Sequence, residues 1–280
     1  MRVTTVAAAG VDLVVREWES NNTKPVLFWP GLNPWGSLQL IEAAPLLSQR
    51  GFRVCSLAAP GTGESPALVD ADAYRPRRLA ELVLAVADAL SLPHFNFVGA
   101  SWGGSVGVHL AAAHPERVDA LVLLDGGYAD APYDQSLPEL ERQFTADQER
   151  FAFATWDAYL DWAREHAPRW SDALEARYRA GMVQTGDGIV PRADPRAAAR
   201  ALYALSLEPV SDGHAALGRA RVPTLLIVSA SADVAEDVAR FRSLVPQAVV
   251  KGLDAGHDLL HDAPFALADT VARWLGELVR

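Results

Sequence analysis

The sequence predicts an α/β fold, a doubly wound and mostly parallel sheet with a block of helices inserted into it. Three observations carry that expectation. Short β-rich runs alternate with longer amphipathic stretches, the central runs are apolar at every position, and one long segment lacks any strand pattern. Such alternation builds parallel strands joined by crossover helices. Strands covered on both faces lose the in–out alternation of a half-exposed strand.

Taken in order, Leu13-Val14-Val15 and Val26-Leu27-Phe28-Trp29 read as strands, followed by Phe52–Leu57, Phe95–Val98 and Leu121–Leu124. Pro76 opens a helix at a position where its missing N–H costs nothing. Leu79, Leu82, Val83, Val86 and Leu90 then repeat at helical spacing and form one apolar stripe. From about Asp130 to Ala220 only helical patterns occur, punctuated by Pro138, Pro168, Pro191 and Pro195. A βα connection takes about 2–6 residues, so this stretch is expected to be an inserted helical cap. It divides one core into 1–129 and 221–280, with the cap at 130–220. Thr224–Val228 and Ala248–Val250 supply the last strands. A final helix from Pro264 carries Leu267, Val271, Trp274 and Leu278 on one face.

Composition narrows the function. The chain has 280 residues, 50% of them hydrophobic and 21% charged, enough apolar material for a substantial core. A formal charge of −10 and the absence of any basic run argue against nucleic acid or an anionic membrane as partner. Thr4, Thr5 and Asp12 interrupt the apolar amino terminus, which is unlike a secretory leader. The uncharged stretch from Ala89 to Pro115 contains Pro93, His94 and Asn96 and suits a strand-turn-helix, not a membrane span. A cytoplasmic protein is expected, and no feature specifies an oligomeric state. Cys55 is the single cysteine, so an intramolecular disulfide and a multi-thiolate metal site are excluded. It reads as a small core residue.

The strongest chemical signal is Gly99-Ala100-Ser101-Trp102-Gly103, directly after one expected strand and directly before a helix. G-x-S-x-G in that context forms a nucleophile elbow, a turn so sharp that its flanks must be small. Ser101 would stand above the sheet at the positive end of the following helix. A glycine-rich turn without a nucleophile is the plain alternative, and the flanking strand and helix favour the elbow. A hydroxyl needs an adjacent base, and His257, in the loop before the last helix, can reach it. His257 and His261 also have the i, i+4 spacing of a zinc site. Asp258 stands where such a site has Glu, and no third ligand is evident, so no metal is expected. His94, His109 and His114 read as structural.

Two further motifs accompany the elbow. They are Pro60-Gly61-Thr62-Gly63-Glu64-Ser65 after a strand, and Ala255-Gly256-His257 followed by Asp262 and Pro264. With these three in order, nearly the whole chain resembles the α/β-hydrolase fold superfamily, in which a cap enters after the sixth strand. The resemblance implies a triad in the order Ser, acid, His. Its acid is expected at Asp233, in Ala230-Ser231-Ala232-Asp233, where the family usually has G-x-x-D. Asp125, in Leu124-Asp125-Gly126-Gly127, is the rival, because some members carry the acid there. By position, the N–H groups of Leu32 and Trp102 would form the oxyanion hole, although Trp29-Pro30-Gly31 stands where His-Gly is common. Asn33 either adds a donor or braces that turn.

The resemblance thus implies a serine hydrolase acting without cofactor on a small hydrophobic substrate, an ester or lactone, or else an amide or a carbon–carbon bond. Lyases, cofactor-free oxygenases, cyclisation catalysts and receptors with little turnover share the fold and form the alternative. Asn33, Trp35 and Trp156 are expected in the substrate pocket, whereas Trp162 and Trp170 read as staples of the cap helices.

Overall fold

The computed structural model describes residues 1–19, 24–131, 133–186, 188–230 and 233–278. Its main sheet contains β1 (Arg2–Ala8), β2 (Val11–Trp18), β3 (Lys24–Trp29), β4 (Phe52–Leu57), β5 (Phe95–Ala100) and β6 (Val118–Leu124). A separate hairpin, β7 (Met182–Thr185) and β8 (Gly188–Pro191), precedes the last two strands of the sheet, β9 (Thr224–Ser229) and β10 (Ala248–Leu253). The eight strands lie in the order β1-β2-β4-β3-β5-β6-β9-β10. All neighbours from β4 to β10 are parallel, and the β1–β2 and β2–β4 pairs are antiparallel.

The apolar runs owe their continuity to burial on two faces. In β3, Val26 and Phe28 enter one buried cluster, whereas Leu27 and Trp29 enter another on the opposite face. Period-two geometry sends alternate residues to opposite sides, and both sides are covered. One face packs against α2 (Pro76–Ala89) and α3 (Trp102–Ala113), the other against α1 (Ala44–Gln49) and the carboxy-terminal helix at 264–277. Cys55 is fully buried in β4, where burial pushes its thiol up to about 12 and leaves it unreactive. The edge strand β1 has no counterpart in the sequence expectation. Of its seven residues only Val6 and Ala8 are buried, so no apolar run marks it. It is held as a hairpin on β2 through Ala9 and Gly10, both with positive φ.

Between β6 and β9 the chain forms α4 (Leu137–Arg150), α5 (Trp156–His166), α6 (Asp172–Ala180), the hairpin, α7 (Pro195–Leu207) and α8 (Ser211–Ala220). Their starts follow local chemistry. Ser136 and Glu139 make a capping box, Thr155 and Ser171 cap α5 and α6, and Asp194 caps α7 ahead of Pro195. The hairpin corrects the expectation of a strandless segment; its four-residue strands are too short to display a period. This segment has a small core of its own, with Tyr159, Leu160, Leu174, Tyr178 and Met182, against which Trp35 packs. Ala197, Ala201 and Ala204 of α7 and Leu217 of α8 instead join the main cluster. After β9 come α9 (Ala235–Leu244), α10 (Leu259–Asp262) and α11 (Pro264–Glu277). Among the described residues no helix is long and apolar enough to cross a membrane.

Phe97 sits at the centre of β5 and is buried in the main cluster. Phe97→Ala is expected to lower the unfolding free energy in urea by about 3–5 kcal/mol. Val69→Ala, at an exposed loop position, should leave it within about 0.5 kcal/mol. Equal losses at both sites would contradict the packing described for β5.

Candidate active site

The turn that carries Ser101 is forced by close approach. A Cβ on Gly99 would lie 2.2 Å from the Gly103 carbonyl oxygen, and one on Gly103 would lie 2.5 Å from that of Trp29. Ser101 itself is held at φ 49 and ψ −113, an unfavourable region for a non-glycine residue. Its N–H donates to the Leu124 carbonyl at 2.8 Å, which ties the turn to the end of β6. The side chain therefore leaves the carboxyl ends of the central strands, at the amino terminus of α3.

His257 reaches this point from the loop after β10. Its Nε2 lies 3.0 Å from Ser101 Oγ, and its Nδ1 lies 2.7 Å from Asp125 Oδ2. With the Nδ1–H donated to Asp125, Nε2 is left to accept from the serine hydroxyl. The other carboxylate oxygen of Asp125 accepts from the Ser229 N–H at 3.1 Å, so the acid is pinned between β6 and β9. Its side chain is only 4% exposed. The hydrogen bond to Asp125 raises the His257 pKa above the ordinary imidazole value; burial opposes this, and the charges of Asp125 and Asp258 add to it. Tyr128 hydrogen-bonds to the same carboxylate, and its phenol is pushed up to about 12, mainly by burial.

This arrangement corrects the expected ranking of the two acids. Asp233 is exposed at the approach to α9, and it is Asp125 that meets the imidazole. Asp125 directly follows β6, with its carboxylate held by the Ser229 N–H and turned to the imidazole, whereas the Asp233 side chain is exposed. Nor do the two histidines converge. His257 faces Ser101, whereas His261 Nε2 lies 3.1 Å from the Tyr178 hydroxyl. Among the described residues no group of three or more His, Cys, Asp or Glu could hold a metal ion.

The loop opposite the serine is organised by two amides. Asn33 spends its Nδ2 on the Gly31 carbonyl and on Gln39 Oε1, both at 2.9 Å, and its Oδ1 accepts from the N–H groups of Trp35 and Gly36. It is a brace, the second of the two expectations. Gln39 Oε1 also accepts from the Gly31 N–H at 3.0 Å. Among the described residues, neither the Leu32 N–H nor the Trp102 N–H has a protein acceptor. The indole of Trp102 is turned into the core, edge-on to Trp29. No motif marks Gln39, and sequence reasoning missed it.

Two cavities adjoin the site. One of about 230 Å³ is lined by Ser101, His257, Leu32, Leu124, Leu259 and Leu260 among others. A larger one of about 600 Å³ lies under the inserted segment, with Phe144, Phe151, Tyr159, Trp162 and Tyr178 in its walls. Leu32, Asn33, Pro34 and Trp35 line both, so this loop is their partition. Asn33 and Trp35 thus line both cavities, and Trp156 does not. The first residue of α5, Trp156 packs edge-on to Tyr159 beneath the Arg179 guanidinium and lines neither cavity. Trp162, read as a staple of the cap helices, lines the larger cavity. Trp170 stacks on Tyr178 as a staple does.

Residues 24–264 match the family profile described as the alpha/beta hydrolase fold. The "Putative carbamate hydrolase RutD" of Pseudomonas syringae pv. syringae (strain B728a) is 30% identical over 187 residues, 65% of this chain and 66% of the relative. That of Variovorax paradoxus (strain S110) is 32% identical over 138 residues, 46% and 50% of the two chains. The chain thus spans between half and about two thirds of the length of these relatives. Among solved structures, the thioesterase domain from the curacin biosynthetic pathway superposes with a TM-score of 0.78 at 21% identity, covering 98% of this chain and 99% of that one. E-2-(acetamidomethylene)succinate hydrolase gives the same TM-score, identity and coverage. At such identity these structures speak for the fold.

The imidazole can be tested without any substrate. In an NMR titration His257 is expected to lose its proton at a pH above the ordinary 6.5. Asp125→Asn should lower that midpoint, since it removes the largest cause of the shift, and Asp233→Asn should leave it in place. A midpoint sensitive to Asp233 and indifferent to Asp125 would overturn the pairing.

Proposed function

This chain belongs to the α/β hydrolase fold family, and on that premise we propose that it is a serine hydrolase cleaving a small hydrophobic ester or lactone through an acyl-enzyme. One observation carries the reading, the continuous hydrogen-bonded line Ser101 Oγ, His257 Nε2, His257 Nδ1, Asp125 Oδ2. Ser101 Oγ attacks the carbonyl carbon while its proton passes to His257 Nε2. The carbonyl oxygen, now an oxyanion, accepts from the Leu32 and Trp102 N–H groups, which the fold leaves without other acceptors. As the tetrahedral species collapses, the imidazolium gives its proton to the leaving alkoxide. The same imidazole then deprotonates water, which attacks the acyl carbon and releases the acid and Ser101. Asp125 holds the tautomer throughout and stabilises the imidazolium.

The substrate class follows from the walls. The leucines of the smaller cavity and the aromatic rings of the larger offer apolar contact, while Asp147 and Asp194 on the larger one repel anions. The inserted 130–220 segment acts as a cap, supplying these rings and excluding water. A carbamate presents the same kind of electrophilic carbonyl as an ester, and similarity to the carbamate hydrolases puts it in the test panel.

A fluorophosphonate is expected to label wild-type protein at Ser101, mapped by mass spectrometry, and Ser101→Ala should abolish both labelling and turnover. Asp125→Asn should lower kcat by about 10⁴-fold and Asp233→Asn by much less. Across acetyl, medium-chain, aryl and anionic acyl esters, with an aryl carbamate alongside, kcat/KM should be highest for neutral medium-chain or aryl acyl groups. A folded Ser101→Ala protein that still turns over would end the nucleophile assignment. A preference for the anionic ester would end the apolar-pocket assignment.

A further inference from the structure

Arg177 of α6 is an arginine with a 1% exposed side chain, in a segment that packs over the site. Burying a guanidinium costs several kcal/mol unless its donors are matched. Here the match is partial. One terminal nitrogen donates to Asp258 Oδ2 at 2.6 Å, and the guanidinium carbon lies 4.0 Å from the centroid of the Trp35 ring. Its Nε has no hydrogen-bond partner among the described residues. Ordinary packing would be better served by a leucine or methionine.

Its two partners sit on the two loops that must cooperate. Asp258 follows His257 directly and caps α10, accepting from the His261 N–H. Trp35 lies on the loop of the Leu32 donor, the partition between the cavities. A second link closes the circuit. Gln39 Nε2 lies 3.4 Å from Asp258 Oδ1, and Gln39 Oε1 accepts from the Gly31 N–H beside Leu32. One buried side chain from the inserted segment thus touches the histidine loop by a charge-assisted hydrogen bond and the donor loop by a cation–π contact. Arg169 ties the same region down nearby, pairing with Glu42 and donating to the His261 carbonyl.

We propose that Arg177 is a positioning residue that holds the His257 loop and the Leu32 loop in register, so that the site is assembled only while α6 is seated. The inference rests on the serine-hydrolase reading for its kinetic consequence and on geometry alone for its structural one. Unseating α6 removes the guanidinium from Trp35 and from Asp258 together. The donor loop loses its partner, and the Asp258 carboxylate is left without its cation next to His257. The charged groups acting on the imidazole are then Asp125 from β6 and Asp258. Misplacing a reacting group by about 1 Å costs as much as 10²-fold in rate, so a change that does not touch substrate should still appear in kcat.

The test uses Arg177→Met, Arg177→Lys, Asp258→Asn and the double variant Arg177→Met with Asp258→Asn, in the full chain, with circular dichroism and thermal unfolding as fold controls. With a neutral hydrophobic aryl ester, Arg177→Met is expected to lower kcat about 10–100-fold and to change KM by less than about threefold. Fluorophosphonate labelling of Ser101 should slow in parallel. Arg177→Lys keeps the charge and should recover part of the loss. The pH dependence supplies a readout that loosened packing would not give. In Arg177→Met the uncompensated Asp258 charge should move the His257 midpoint up, and with it the acidic limb of kcat/KM. In Asp258→Asn both should move down, and the double variant should follow Asp258→Asn. A folded Arg177→Met protein with wild-type kcat and an unmoved midpoint overturns the inference. Should wild-type protein fail to be labelled at Ser101, the hydrolase reading falls. The NMR midpoints still decide the positioning, opposite shifts supporting it and unchanged ones overturning it.

Discussion

The site depends on one close contact between two strained turns. A Cβ on Gly126 would lie 2.2 Å from the Ser101 carbonyl oxygen, so the loop leaving β6 lies directly against the elbow leaving β5. Ser101 and Asp125 both have positive φ, at 49 and 45. Each such residue costs on the order of 1–3 kcal/mol and persists only where its surroundings over-determine it. Here each turn is part of what determines the other. The Ser101 N–H donates to the Leu124 carbonyl, and the Asp125 N–H donates to Ile227 across the next strand pair. Serine and carboxylate are thus spaced by parallel β pairing, and an imidazole from the loop after β10 fits between them.

That spacing explains what the sequence disclosed and what it withheld. Ser101 and His257 were legible because their constraints are local. The elbow needs small residues at fixed offsets, and the histidine follows the last strand in a loop long enough to cross the sheet edge. The acid was not legible in the same way. Asp125 and Asp233 each follow an apolar strand, and a sequence does not state which of the two loops turns its carboxylate toward the histidine. The folded loops decide it, and Asp125 is the one whose carboxylate meets His257 Nδ1. Trp156 and Trp162 pose the same problem on a helix. They stand six residues apart in α5, and only the seating of that helix determines which ring reaches the cavity and which turns toward Arg179. β1 and the β7–β8 hairpin escaped notice for want of an apolar period, one being an edge strand and the other too short.

The core and the inserted segment meet through different physics. Strands and helices of the core join by apolar burial on both sheet faces, which tolerates small shifts without loss of chemistry. The segment's first half, by contrast, reaches the site largely through directional contacts. Arg177 meets Asp258 and the Trp35 ring, Tyr178 meets His261, and Ser171 and Arg169 meet Glu42. Directional contacts hold a geometry or release it within a fraction of an ångström. They are suited to an element whose seating matters more than its adhesion.

The same contacts bear on how a substrate is recognised. Most polar side chains near the cavities are already spent on holding the scaffold. Asn33 braces the turn with both of its polar atoms, Gln39 joins two loops, and the Tyr178 hydroxyl faces His261. On the proposed serine-hydrolase reading, the unspent backbone N–H donors at the serine would recognise a developing oxyanion, a feature of any acyl transfer and of no one substrate. Discrimination between substrates then falls to cavity volume, ring contact and the charge of Asp147 and Asp194. A pocket of that kind separates homologues by about 1–3 kcal/mol per methylene, whereas a site with committed polar partners reaches far larger ratios. On that same reading, a graded preference among neutral acyl groups would follow from a scaffold that uses its polar groups for alignment.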